Sequence, residues 1–114
     1  MQQVTNLILS ASLFGTQEMF RAQLDAYTSK LKVSPFAKLD NCRQGGDNCL
    51  RADLFVAAFT DLDLRAFIEF FLSLHYAYQG QDQKKTLQVF IKRPKDEFFL
   101  VFTQETIAEW DFTA

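Results

Sequence analysis

Histidine occurs once in this 114-residue chain, at His75, and cysteine occurs twice, at Cys42 and Cys49. A single imidazole excludes triads, dyads and metal clusters that are built on several histidines. The chain also lacks a Gly-x-Ser-x-Gly nucleophile motif. It has no glycine-rich phosphate loop, because Gly45-Gly46 is followed by neither a lysine nor a helix start. We therefore expect no catalytic residue, no metal ligand and no cofactor.

The net charge is small, and long apolar runs are absent. The net charge of −2 and the isoelectric point near 5.3 predict little attraction to nucleic acid or to anionic membranes. The longest apolar run, Leu54 to Phe59, is far shorter than the ~20 residues that span a bilayer. The first residues carry no positive charge of the kind that opens a signal peptide. These features predict a cytoplasmic protein without membrane contact, in which the thiols are reduced.

Phenylalanine, in contrast, is abundant, with 13 copies beside three tyrosines and one tryptophan. Each aromatic ring buries ~150–250 Å² of surface, so a few of them can dominate a small core. Hydrophobic residues make up 48% and charged residues 23% of the chain, which is close to the average for globular proteins. We predict one domain over residues 1–114 with an aromatic core.

The first half of the chain predicts a strand, a helix and two further strands. Apolar and polar residues alternate from Val4 to Phe14, which indicates a strand with one face on the core. A helix follows and ends at Ser34-Pro35. Residues 36–42 are interpreted as a short edge strand, with an irregular loop as the alternative, and residues 54–59 as a central strand. The apolar stripe of the helix consists of Phe20, Leu24, Tyr27 and Leu31.

The second half predicts a helix, a hairpin and a tail. Thr60-Asp61-Leu62-Asp63 matches a capping box and precedes an apolar stripe, which indicates a helix over residues 64–78. Residues 87–91 and 98–102 alternate on either side of a turn at Arg93-Pro94, as the two strands of a hairpin do. The tail from Gln104 is either a short helix or an extended segment that docks Trp110 and Phe112. The stripe of this second helix is Leu64, Phe67, Phe71, Leu74 and Tyr78.

This order predicts an α+β fold with two helices packed on one face of a mostly antiparallel sheet. The arrangement would be ferredoxin-like with an extra C-terminal edge strand. If residues 36–42 are not a strand, the remaining order is that of a thioredoxin-like core. The two folds differ in whether the first and the central strand run antiparallel or parallel. Neither fold determines a function.

Cys42 and Cys49 form a candidate redox pair, because a hairpin through residues 43–48 would bring the two sulfurs together. Their spacing differs from that of thioredoxin-type sites, in which two thiols lie one helical turn apart. Zinc would require two further ligands, for which only carboxylates such as Asp40 or Asp47 are near. We expect two ordinary reduced thiols rather than a functional pair.

Two other sets of residues have an ordinary structural explanation. His75 falls beside the stripe of the second helix and is interpreted as a partly buried structural histidine rather than a general base. Basic residues bracket the predicted hairpin, as in domains that hold single-stranded RNA, but Phe98-Phe99-Leu100-Val101-Phe102 lacks the glycine and the charge of the RNP1 signature. Nucleic acid is therefore an improbable partner. The basic set is Lys84, Lys85, Lys92, Arg93 and Lys95.

The second helix and the hairpin carry more large apolar side chains than one small core covers, which indicates an interface. The residues predicted to form it are Leu72, Tyr76, Phe90 and Phe99. The alternative is that the tail folds over the sheet and covers Phe90 and Phe99.

The functional hypothesis is a non-enzymatic binding or protein-interaction domain, either a homodimer or a domain that docks on one protein partner. A small-molecule-binding domain or small enzyme, with a pocket between helices and sheet, is the alternative.

Overall fold

The structure is a computed structural model that describes residues 3–12, 17–75 and 83–113, apart from the side chains of Ser12, Gln17 and Gln83. Within these ranges five strands form one antiparallel sheet beside four helices, which confirms the predicted α+β class. The strands are β1 (Val4–Ser12), β2 (Ala37–Lys38), β3 (Ala52–Thr60), β4 (Gln88–Lys92) and β5 (Leu100–Thr103). The helices are α1 (Gln17–Leu31), α2 (Leu64–Ser73), α3 (Gln83–Thr86) and α4 (Gln104–Ile107).

The strand order is β2-β3-β1-β4-β5, and each strand runs antiparallel to its neighbours. Strand β1 lies at the centre, between β3 and β4. The strand predicted as central is β3, which instead lies between β1 and the edge strand β2. The antiparallel pairing of β1 with β3 contradicts the thioredoxin-like alternative, which requires these two strands to be parallel.

Strand β1 confirms the period-two prediction. Leu7, Leu9 and Ala11 are buried, while Asn6 and Ile8 are partly exposed. Alternation arises because successive side chains of a strand point to opposite faces of the sheet. The strand ends at Ser12, and residues 13–14 of the predicted strand lie outside the described residues.

Helix α1 buries most of its predicted stripe. Phe20 and Leu24 are buried, but Leu31 is exposed and Thr28 takes the core position one turn after Leu24. The Thr28 hydroxyl donates to the carbonyl oxygen of Leu24 at 3.2 Å, so its burial leaves no donor unpaired. The prediction of Leu31 as a core residue was wrong: Leu31 is the last residue of α1, and it is 42% exposed there.

Helix α2 begins at Leu64, as predicted, but its N-cap is Asp63 rather than the first residue of the predicted capping box. The carboxylate of Asp63 accepts from the backbone N–H of Ala66 at 3.1 Å, so Asp63 is the N-cap, whereas Thr60 is the last residue of β3. Phe67 and Phe71 are buried as predicted. The helix ends at Ser73, five residues before the predicted end at 78, and Tyr78 lies outside the described residues.

The core between α1, α2 and the sheet is filled by aromatic rings. Phe20 meets Phe55 of β3 edge to face with ring centroids 5.3 Å apart, and Phe36 meets Phe59 at 5.6 Å. Edge-to-face contacts of this kind add to the stabilisation that burial alone provides. Tyr27 lies at the rim of this core, where burial raises the pKa of its phenol to about 12, so the group is neutral at physiological pH.

Two segments had alternative predictions, residues 36–42 and the tail from Gln104. Strand β2 is an edge strand as expected, yet it contains only Ala37 and Lys38, because turn-forming residues begin at Asp40. The tail combines both alternatives: α4 is a short helix, and Trp110 then stacks on Phe102 of β5 with ring centroids 4.4 Å apart.

Candidate functional site

The two faces of the sheet have different surroundings. Leu9 of β1, Phe55 of β3 and Val89 of β4 lie side by side on one face and are buried beneath the helices. The neighbouring positions point to the opposite side, which we call the open face. A continuous line of apolar residues, the apolar row, crosses the open face through all five strands. In order from β2 to β5 the apolar row is Ala37, Val56, Ile8, Phe90 and Val101.

The apolar row is accessible to solvent. Val101 is 50% exposed, Ala37 is exposed, and Ile8, Val56 and Phe90 are partly exposed. A sheet face that meets only water normally carries polar side chains in alternation with the buried ones. The open face differs from this pattern, because the apolar row lies at its centre.

The open face is also almost free of charge. Among the described strand residues that point to this side, Lys92 alone is charged, and its strand neighbour Asn6 is neutral. Ser10 and Gln88, which flank the apolar row on the other side, are neutral as well. Apolar area with few charges is the composition found at the centre of protein interfaces.

The C-terminal tail lies on the other side of the sheet. Phe102, on which Trp110 stacks, pairs with the buried Val89 and so faces the helices. The ring of Phe112 lies under the guanidinium of Arg65 on α2 at 5.2 Å. The alternative in which the tail covers Phe90 and Phe99 is therefore wrong.

The structure brings together part of the predicted interface. Phe90 lies in the apolar row, and Phe99 is exposed directly before β5. Leu72 is 43% exposed but belongs to α2, whose buried residues face the sheet, so it lies in the helix layer away from the open face. Tyr76 lies outside the described residues.

Three residues of the apolar row were not predicted from the sequence: Ile8, Val56 and Val101. Each belongs to a strand that was predicted, but the alignment of the five residues depends on the register between strands. Register between distant strands is set by tertiary packing and not by local pattern.

Cys42 and Cys49 are joined by a disulfide, with their Cα atoms 4.2 Å apart. Both residues are exposed in the connection between β2 and β3. This pairing differs from the expectation of two reduced thiols, and it corresponds to the hairpin geometry that made them a candidate pair.

His75 is exposed and lies after the end of α2, so its interpretation as a partly buried helical residue was wrong. Its ring Nδ1 is 3.1 Å from the carbonyl oxygen of Ser73. Its main chain is bound by Gln23 of α1, whose side-chain amide donates to the His75 carbonyl at 2.7 Å and accepts from the His75 N–H at 3.2 Å. His75 thus connects the two long helices through its backbone.

The basic residues of the hairpin region do not share one surface. Lys84 and Lys85 lie in α3, before β4, whereas Arg93 and Lys95 follow the opposite end of that strand. The guanidinium of Arg93 is bound by the carboxylate of Asp96. Lys92 alone of the set accompanies Phe90 on the open face.

Metal clusters, membrane helices and grooves are the remaining features of the described chain. Among its residues, no three histidine, cysteine or carboxylate side chains form a group that could hold a metal ion, and no helix is long and apolar enough to cross a membrane. A surface groove of about 570 Å³ runs between α1 and α2, with Tyr27 and Phe70 stacked beside it at 4.2 Å. No protein-family model, curated protein or solved structure matches the chain at a significant level.

Proposed function

We propose that this protein is a non-enzymatic interaction domain that forms a homodimer through the open face of its sheet. The observation that carries the proposal is the apolar row, which crosses five strands, is accessible to solvent and has Lys92 as its one charged neighbour among the described strand residues of the open face. Contiguous apolar surface of this kind is stabilised when a partner removes it from water.

The size of the open face suits a modest dimer. Strands lie ~4.8 Å apart and advance ~3.4 Å per residue, so the five strands cover about 500 Å² in projection. A standard interface buries about 800 Å² of accessible surface on each partner. With its flanking residues, the open face reaches the lower part of the size range of standard interfaces. We expect a dissociation constant in the micromolar range.

A second copy is the partner that this composition favours. In a two-fold dimer the same patch meets itself, so any charge on the patch is opposed by its own sign. The open face avoids this penalty, because Lys92 is at the end of β4 and the apolar row is uncharged. Two sheets packed face to face at ~10 Å can interdigitate Ile8, Val56 and Phe90 with their copies.

The order of elements supports a ferredoxin-like assignment for the domain. Strands β2-β3-β1-β4 with α1 after β1 and α2 after β3 correspond to two interleaved βαβ halves, and β5 extends the sheet beside β4. In such an arrangement both long helices cover one face and leave the other available to a partner. A cytoplasmic location remains part of this proposal.

Oligomeric mass tests the proposal. We expect light scattering and sedimentation across the micromolar range to give a monomer–dimer equilibrium for the wild-type protein. Phe90→Asp places a charge at the centre of the interface of each copy, so we expect it to weaken the dimer about a hundredfold or more. The monomer should still fold, because Phe90 lies outside the core, and circular dichroism checks this.

Leu72→Asp is the matched control, since it makes the same type of change at an exposed apolar residue of α2. We expect it to leave the dimer unchanged. A wild-type protein that stays monomeric throughout the range would refute the homodimer. Dissociation by Leu72→Asp but not by Phe90→Asp would assign the interface to the helix layer instead.

A further inference from the structure

The connection between β2 and β3 is closed into a covalent ring by the Cys42–Cys49 disulfide. Both cysteines and all six residues between them are exposed. Gly45 has no atom within 4 Å of the position that a Cβ would take, so this side of the ring is open to solvent. Because Cys42 and Cys49 are themselves exposed, a reductant in solution can reach the disulfide without unfolding of the sheet.

The connection that the disulfide closes has few bonds to the rest of the fold. Next to the disulfide, the backbone N–H of Leu50 donates to the Asn41 carbonyl at 2.7 Å, and beyond it the N–H of Leu39 donates to the Leu54 carbonyl at 2.9 Å. Strand β2 itself adds only the pairs of Ala37 and Lys38 with β3. The side chains of Asn41 and Lys38 add contacts to the Asp53 carboxylate at 3.0 and 3.4 Å. So few bonds hold an edge strand only weakly, because each contributes little net free energy.

We propose that Cys42 and Cys49 form a thiol–disulfide exchange site for a dithiol reductant, and that reduction releases the β2–β3 connection while the rest of the sheet stays folded. One thiolate of the reductant attacks a sulfur of the disulfide, forming a mixed disulfide, and the other cysteine leaves as a thiolate and takes a proton. The second thiol of the reductant then resolves the mixed disulfide. The protein gains two electrons and two protons, and the reductant becomes a cyclic disulfide.

The effect of reduction is confined to the connection because its neighbours are anchored independently. Phe36, directly before β2, is fully buried and packs against Phe59. Strand β3 pairs with β1 along its whole length, from Thr60 opposite Val4 to Ala52 opposite Ser12. Opening the ring removes none of these contacts, so we expect loosening between residues 39 and 51 alone.

Amide hydrogen exchange of the oxidised protein and of the protein reduced with dithiothreitol tests the proposal, since dithiothreitol is itself a dithiol. We expect the amides of Leu39 and Leu50 to exchange about tenfold faster or more after reduction, and those of β1 and β4 to be unchanged. Thiol alkylation with mass spectrometry verifies the redox state of each sample. Cys42→Ser/Cys49→Ser should exchange like the reduced protein in the presence or absence of reductant.

Gly45→Ala is the matched control, because the added methyl group meets open space and the ring stays closed. It should retain the exchange pattern of the oxidised wild type. Four results would overturn the proposal: two free thiols in protein purified without reductant, a disulfide that excess dithiothreitol leaves intact in the folded protein, equal exchange of Leu39 and Leu50 in both states, or loss of protection throughout β1 on reduction.

Discussion

The side chain of Arg93 makes several bonds at the end of β4. Its Nε donates to Asp96 Oδ2 at 2.8 Å and its Nη2 to Asp96 Oδ1 at 2.9 Å, while its Nη1 donates to the Phe112 carbonyl at 3.0 Å. Its guanidinium also lies 4.9 Å from the ring centroid of Trp110. One residue thus connects the β4–β5 turn to the tail, and a basic residue that the sequence associated with nucleic acid has a structural role instead.

Asp96 makes part of this connection dependent on pH. The hydrogen bonds from Arg93 lower the pKa of the Asp96 carboxyl below its ordinary value. A lowered pKa in the folded state stabilises the protein above the unfolded pKa of about 3.9, and this contribution is lost as the pH falls through the folded value. We expect Asp96→Asn to lower the free energy of unfolding at neutral pH by about 2 kcal/mol, since the bonds join charged groups that are 14% and 11% exposed.

Urea denaturation at a series of pH values measures this difference, which should shrink below about pH 4. Asp25→Asn is the control, because Asp25 pairs with Arg21 at the surface of α1, and its loss should cost less than about 0.5 kcal/mol. A difference between wild type and Asp96→Asn that persists unchanged in acid would show that the contribution is not that of the ionised carboxylate.

At the scale of elements, the carbonyls at the end of α2 accept hydrogen bonds from the tail. The side-chain amide of Gln104, which is buried in α4, donates to the carbonyls of Phe71 and Leu74 at 2.8 and 2.9 Å. The sequence predicted α2 from its N-cap region and its stripe but placed its end at residue 78. That error has a physical cause, because the partner of the last turn lies 30 residues further along the chain and leaves no local pattern.

Gln104→Leu tests how much this contact contributes. Leucine has a similar volume but no donor, so the carbonyls of Phe71 and Leu74 each lose one hydrogen bond, and we expect the free energy of unfolding to fall by about 1–3 kcal/mol. Faster amide exchange should appear first in the last turn of α2. Glu109→Leu, a polar-to-leucine change at an exposed position of the tail, should stay within about 0.5 kcal/mol of wild type. Equal stability of Gln104→Leu and wild type would mean that water replaces the amide at little cost.

At the scale of the whole molecule, the sequence predicted which elements exist better than it predicted which surfaces they form. Strands β1, β4 and β5 and both long helices follow from period and capping, which are local. The open face depends on strand order and register, which bring Ile8 and Val101 into one row although 93 positions separate them. Phe90 was identified because it is large and apolar. Leu72 was chosen on the same ground, but size and polarity do not show that α2 and the open face lie on different sides of the sheet.

The charge distribution of the whole molecule leads to a last prediction about association. Charged residues of the described chain lie mostly in the helices, turns and tail, and Lys38 and Asp53 lie on the helix side of the sheet. Lys92 alone is charged among the described strand residues of the open face, so the proposed dimerisation through that face would remove apolar area from water with little change in charge contacts. Salt screens interactions between exposed charges but does not weaken apolar burial. We therefore expect the dimer dissociation constant to change by less than about threefold between dilute and molar salt.

The thermal midpoint should also rise with protein concentration for wild type and not for Phe90→Asp. Sedimentation at several salt concentrations and thermal scans at several protein concentrations measure the two effects. A dimer that dissociates steeply as salt is added would require charged contacts at its interface. The described part of the open face does not provide them, so the interface would then have to lie among the charged helices and turns.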